Sequence, residues 1–99
     1  MPHHRVWLFR PPDGREEEFR RAYSADGPWA EVFRQGSGYL GTRLLRPVEA
    51  DGWWMTIDSW DNGKSFENFQ SQHGPDYERL DKELEGVAGE ERFVGAFDD

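Results

Sequence analysis

A chain of 99 residues has room for one domain with a modest core, because a protein of this size keeps a large share of its surface wet. Its formal charge of −8 and pI near 4.8 repel phosphate backbones and anionic membrane surfaces, which argues against nucleic acid and membrane as partners. The absence of cysteine excludes a disulfide framework, a thiolate metal site and a cysteine nucleophile, and suits a reducing cytoplasm. Aromatic residues make up 15% of the chain against 35% hydrophobic overall. The apolar material is therefore concentrated in bulky side chains, which dominate cores and ligand pockets alike.

In chain order, Arg5-Val6-Trp7-Leu8-Phe9-Arg10 closed by Pro11-Pro12 predicts a first strand. The run is too short for a signal h-region or a membrane span. Asp13 with Glu16 has the spacing of a capping box, and an acidic first turn precedes Phe19 and Tyr23 on one face, so a helix is expected from about Gly14 to Tyr23. Asp26-Gly27-Pro28 ends it and opens a second helix whose apolar stripe is Trp29, Val32 and Phe33. Gly36-Ser37-Gly38 breaks the chain again. Tyr39 to Arg46 and Trp53 to Trp60 read as a hairpin joined through Asp51-Gly52. Asp61 or Asn62 should cap the next helix, with Phe66 and Phe69 on its face. Gly74-Pro75 restarts a helical run through Tyr77, Leu80 and Leu84, and Arg92 to Phe97 forms a last strand. The order is βααββααβ, an α+β, ferredoxin-like arrangement with helices on one face of an antiparallel sheet. It occupies 1–99 as one domain with its core between about 5 and 97.

The strands do not alternate cleanly. Val6-Trp7-Leu8-Phe9 is apolar throughout, and Trp53, Met55 and Ile57 point away from Trp54 and Trp60, so both sheet faces gain by burial. Helices cover only one. A second copy of the same sheet is the economical cover for the other, which predicts a homodimer.

Four side chains on one face of the third strand, Trp54, Thr56, Asp58 and Trp60, place a carboxylate and a hydroxyl among indoles. That combination suits a flat, electron-rich ligand. A desolvated Asp58 would have a raised pKa and could take a proton from a phenol or an activated carbon acid. The alternative is a cross-strand ion pair with an arginine such as Arg43. His73 precedes Gly74-Pro75 at a helix break, where it reads either as a proton-transfer or ligand residue or as a helix C-terminal residue favoured by the dipole. Tyr23 and Trp29 bracket the Asp26-Gly27-Pro28 break as one wall of a ligand pocket, and Tyr39 and Tyr77 offer phenolic donors; for each, ordinary packing is the competing role. His3 and His4 lie in an N-terminal stub, and no His or acidic spacing resembles a metal cage. Gly36-Ser37-Gly38 and Gly86-Val87-Ala88-Gly89 lack the spacing and basic residues of nucleotide loops.

Gly38-Tyr39-Leu40-Gly41, Thr56-Ile57-Asp58-Ser59-Trp60 and the Phe66, Phe69, His73, Tyr77 helix pair resemble the antibiotic biosynthesis monooxygenase family, over nearly the whole chain from Val6 to Phe97. The resemblance implies a dimeric α/β barrel. It also implies cofactor-free oxygenases that convert polyketide anthrones or phenols to quinones by removing a proton and letting the carbanion reduce oxygen, alongside relatives that bind and degrade haem. By this likeness Trp60 matches a strand-ending Trp at the pocket. The Asn that such oxygenases carry one strand turn earlier falls at Thr56, and the helix Tyr falls at Phe66. The haem-degrading pattern has an Asn on the first strand and a Trp and His on the later helix; those helix positions fall near Phe69 and Arg79, leaving His73 as the residue through which weak haem binding would come. The expectation is a cytoplasmic, homodimeric, cofactor-free oxygenase of a small aromatic or phenolic ligand. Asp58, His73 and Trp60 would be its catalytic residues, with Tyr23, Trp29, Tyr39, Trp54, Thr56, Phe66, Phe69 and Tyr77 binding the substrate. Its rivals are a non-catalytic ligand-binding or accessory protein and a proton-transfer isomerase.

Overall fold

In the computed structural model, which describes residues 1–99, the chain runs β1 (His3–Arg10), α1 (Glu16–Tyr23), α2 (Pro28–Phe33), β2 (Tyr39–Leu45), β3 (Trp54–Trp60), α3 (Gly63–Glu83) and β4 (Glu90–Asp98). The strands form one antiparallel sheet in the order β2-β3-β1-β4. This is the split ferredoxin-like topology, with β1 placed between strands from the middle and the end of the chain.

Two local expectations are revised. The capping box does not form: α1 starts at Glu16 behind Arg15 with no side-chain cap. Gly14 at φ +84° and the turn closed by Arg15 N–H donating to Pro12 O at 3.0 Å carry Asp13 away from the helix start. The break expected before Gly74-Pro75 is present: α3 is two helical segments that meet at a kink at His73, whose φ/ψ of −124°/22° is not helical. Asn62 caps the first segment, its Oδ1 accepting from Ser65 N–H at 2.9 Å. Pro75, two residues past the kink, supplies no N–H and crowds the preceding turn, which interrupts the helical run there. The second revision concerns His3 and His4, which are not a stub but belong to β1. His3 Nδ1 lies 2.7 Å from Asp98 Oδ1, and His4 contacts Ser59 Oγ at 2.7 Å and Asp99 Oδ1 at 2.9 Å.

Gly27 and Pro28 open α2 as their types require, with Pro28 at the first helical position. The glycine is set by crowding. A Cβ there would lie 2.4 Å from Arg21 O and 2.7 Å from Ala22 O, because α2 folds straight back onto the end of α1.

The core lies between the helices and one face of the sheet. Phe19 and Trp60 are fully buried, with Phe69 and Val87 almost so. Phe33, Tyr39, Phe66 and Phe69 surround the Trp60 indole with ring centroids 5.2 to 6.0 Å away. Gly36 makes room for it, since a Cβ there would come within 2.9 Å of Trp60 Cζ3. The strand register puts His3, Arg5, Trp7 and Phe9 on the helix side with Trp60, Asp58, Thr56 and Trp54. Val6, Leu8, Met55 and Ile57 therefore take the opposite side, half-buried and without helix cover, and Phe97 on the edge strand is 51% exposed.

Candidate active site

The register aligns Arg5, Asp58 and Thr42 in a row across β1, β3 and β2. Thr42 Oγ1 donates to Asp58 Oδ1 at 2.6 Å. Because that hydroxyl proton is committed to the carboxylate, the Tyr39 hydroxyl, which also meets Thr42 Oγ1, is the donor in its own contact. On the other flank the Arg5 guanidinium stacks over Phe66 and Phe93, with Cζ 4.0 and 4.7 Å from their centroids. Burial pushes the Asp58 carboxyl up to about 6, against the opposing pull of the Thr42 hydrogen bond and the nearby Arg5 charge. A carboxylate poised near that value is ionised at neutral pH yet basic enough to hold a proton.

The expected Asp58–Arg43 pair is not formed, and a bulge is the reason. Tyr39 faces Trp60, and an unbroken ladder would then set Gly41 opposite Asp58 and Arg43 on the carboxylate's side of the sheet. The register instead shifts between Tyr39 and Gly41, so Thr42 faces Asp58 and Arg43 faces Ile57. One inserted residue exchanges the faces of every side chain that follows.

Asp58 opens into a cavity of about 60 Å³, measured as room for the centres of water-sized spheres. Thr42, Thr56 and Asp58 form its polar floor, and Trp7 and Phe9 of β1 complete the sheet side. Tyr23, Trp29 and Phe33 line it from α1 and α2, Tyr77 and Asp81 from α3, and Glu91 from β4. The Trp29 indole N–H is buried without a hydrogen bond of good geometry. Burial raises the pKa of the Tyr23 and Tyr77 phenols, helped by the Asp81 and Glu91 charges, and both stay protonated as donors.

Five of the residues singled out in the sequence thus meet at the cavity: Tyr23, Trp29, Thr56, Asp58 and Tyr77. Tyr39 reaches Asp58 through Thr42. Trp60, Phe66 and Phe69 form the neighbouring cluster, and Trp54 packs on Phe19 with centroids 5.3 Å apart. His73 lies elsewhere: its ring stacks on Phe69, and its Nδ1 is 3.8 Å from Asp76 Oδ2. Trp7, Phe9, Phe33, Thr42, Asp81 and Glu91 also line the cavity; the sequence marked Trp7, Phe9 and Phe33 only as apolar strand and helix residues, and gave no signal for the other three. No group of three His, Asp or Glu side chains is placed to hold a metal ion, and no helix is long and apolar enough to cross a membrane.

Fold and site together define a small ferredoxin-like protein with an aromatic pocket between its helices and sheet. The antibiotic biosynthesis monooxygenase family model matches residues 2–80, and the chain belongs to that family. No curated protein gives a significant match. Among solved structures it is similar to SnoaB, a cofactor-independent oxygenase from Streptomyces nogalater, with a TM-score of 0.72 and 20% identity over 99% of this chain and 92% of that one. It is also similar to MhuD, a heme-degrader from Mycobacterium tuberculosis with two hemes bound in its active site, with a TM-score of 0.67 and 20% identity over 98% and 94% of the two chains. A third similar structure is a putative antibiotic biosynthesis monooxygenase from Bordetella bronchiseptica, with a TM-score of 0.72 and 16% identity over 99% and 96%.

Proposed function

We propose that the protein is a cofactor-independent oxygenase of a small aromatic or phenolic metabolite, with Asp58 as the proton acceptor. The observation that carries this reading is a half-buried carboxylate at the floor of an aromatic cavity, with its pKa near 6 and its Oδ1 held by Thr42. Asp58 takes a proton from the ring's hydroxyl or activated carbon, and the electron pair remains on the substrate. The substrate's own conjugated ring disperses that charge, and the Trp29 N–H is a donor suited to the substrate's oxygen. The carbanion then passes an electron to dioxygen, and the radical pair joins as a peroxide on that carbon. Cleavage of the O–O bond with loss of the carbon's remaining hydrogen leaves one oxygen as the new carbonyl and the other as water, whose two protons are that hydrogen and the one Asp58 returns.

Haem does not fit this site. The lining holds three carboxylates and no histidine, cysteine or methionine, His73 is turned onto Phe69, and acidic walls repel propionates. The test is oxygen uptake by chelator-treated protein with hydroquinones and anthrones, corrected for autoxidation. Saturable uptake proportional to protein is expected. Substrate rearrangement with no uptake would replace this reading with the isomerase, and binding with neither would leave an accessory protein.

The same proposal includes a homodimer. Val6, Leu8, Met55 and Ile57 leave an apolar sheet face without cover, continuous with the exposed Phe97, and a face of this kind is self-complementary in a sheet-to-sheet pair. Light scattering should give twice the 11.6 kDa chain mass. Ile57→Lys, which buries a charge at the centre of that contact, should give monomer; a wild-type monomer at micromolar concentration would sink the assignment.

A further inference from the structure

Asp81, Glu91 and Tyr23 line both the cavity and an adjoining groove that runs along Glu85, Gly86 and Gly89. These three side chains therefore stand where the two openings meet, within reach of a ligand in the pocket. The two carboxylates come from separate elements: Asp81 from the C-terminal half of α3, and Glu91 from the edge strand, opposite Phe9. Neither makes a salt bridge. The cations nearest in sequence are engaged or turned elsewhere, since Arg79 pairs with Asp76 at 3.0 Å, Arg10 approaches Glu90 at 4.0 Å and Arg92 stacks on Trp53. Lys82 lines only the adjoining groove. No arginine, lysine or histidine lines the cavity itself.

Two like charges at an aromatic mouth repel each other, and Lys82, on the groove side, forms a salt bridge with neither. Glu91 registers the repulsion, its pKa raised by burial and by Asp81. The inner wall has a second poorly met requirement, because Trp29 is 7% exposed and its indole N–H approaches the Tyr23 hydroxyl without a hydrogen bond of good geometry. An ammonium group would relieve the mouth, and the faces of Tyr23, Trp29 and Tyr77 suit it by cation–π attraction. An oxygen on the same molecule would satisfy Trp29.

We propose that the pocket selects an aromatic ligand that carries an ammonium group on a short arm, held by Asp81 and Glu91, and that it rejects aromatic carboxylates of the same size. This names the substrate class for the oxygenase reading and rests on that reading's choice of site. It is a statement about recognition and stands apart from whether oxygen is consumed.

The experiment is a calorimetric titration of the intact protein with three probes of one shape: tyramine (cationic), 4-ethylphenol (neutral) and 3-(4-hydroxyphenyl)propionate (anionic), at low salt. Tyramine should bind tightest and the propionate weakest, with roughly tenfold or more between them, as expected for one charge reversal beside partly shielded carboxylates. Glu91→Gln and Asp81→Asn, isosteric changes at exposed positions, should each bring tyramine roughly threefold or more closer to 4-ethylphenol while leaving the neutral probe unchanged. Equal binding of all three, tighter binding of the propionate, or an unchanged tyramine preference in both variants would overturn the proposal and leave the oxygenase reading standing. Tyramine selectivity without oxygen uptake from any probe or quinol would do the reverse. Failure of all three probes to bind would overturn both.

Discussion

Asp58→Asn should abolish oxygen uptake and at the same time make the protein more stable at neutral pH. Loss of uptake follows if the carboxylate is the base, since an amide in the same place, still able to accept from Thr42, holds no substrate proton. The gain in stability follows from burial. The folded-state pKa is raised from 3.8 to about 6, so between those values the folded protein binds more protons than the unfolded chain. The stabilising contribution is therefore complete below pH 4, is lost as pH rises through 6, and stays lost above. A shift of that size corresponds to about 3 kcal/mol, and part of it will be offset where Arg5 loses its anionic neighbour. Differential scanning calorimetry should show Asp58→Asn melting on the order of 10 °C above wild type at pH 8 and level with it at pH 4. In wild type, kcat/KM should fall on the acid side with a midpoint near 6. A variant that consumed oxygen at the full rate would remove Asp58 from the chemistry whatever its melting point.

Trp60→Ala should cost about 3 to 5 kcal/mol, the range for deleting a large buried aromatic. That is a large share of the total stability of a small domain. The indole is fully buried among four rings, and Gly36, held bare to admit it, cannot collapse into the void. The melting point should fall on the order of 20 °C. Oxygen uptake lost in this variant would then report the fold and not the reaction. Trp60→Phe separates the two. It keeps an aromatic ring in the cluster and removes an indole N–H that is buried with no acceptor, so it should remain folded with most of its uptake, because Trp60 does not line the cavity. A folded, inactive Trp60→Phe would return the residue to the site that the family resemblance gave it.

The shared face of Trp54, Thr56, Asp58 and Trp60 was legible because period-two alternation is a local property of β3. Asp58 stood out for the same reason, as a carboxylate among inward-facing aromatics. Its partner was not legible. Choosing between Arg43 and Thr42 depends on one bulge near Gly41, and nothing short of the paired strands fixes where a ladder slips. Glu91 and Asp81 gave no signal in the sequence because their proximity is long-range, set by β4 docking beside β1. His73 was visible as a residue at a helix break. The kink at that break directs the ring toward Phe69 and away from the cavity.

The place of β1 in the sheet also bears on how the molecule assembles in time. The first strand to leave the ribosome is an inner one, and both its partners arrive late: β3 after some fifty intervening residues, and β4 at the far end, where His3 meets Asp98 across a sequence separation of 95. Closing such long loops costs entropy before any ladder bond is gained. The β2–β3 hairpin and α3 can form locally, whereas β1 must stay unpaired, with Val6, Trp7, Leu8 and Phe9 exposed, until they appear. The nascent chain therefore carries its stickiest segment longest, and slow synthesis or crowded expression would send it toward aggregates before the last strand could dock.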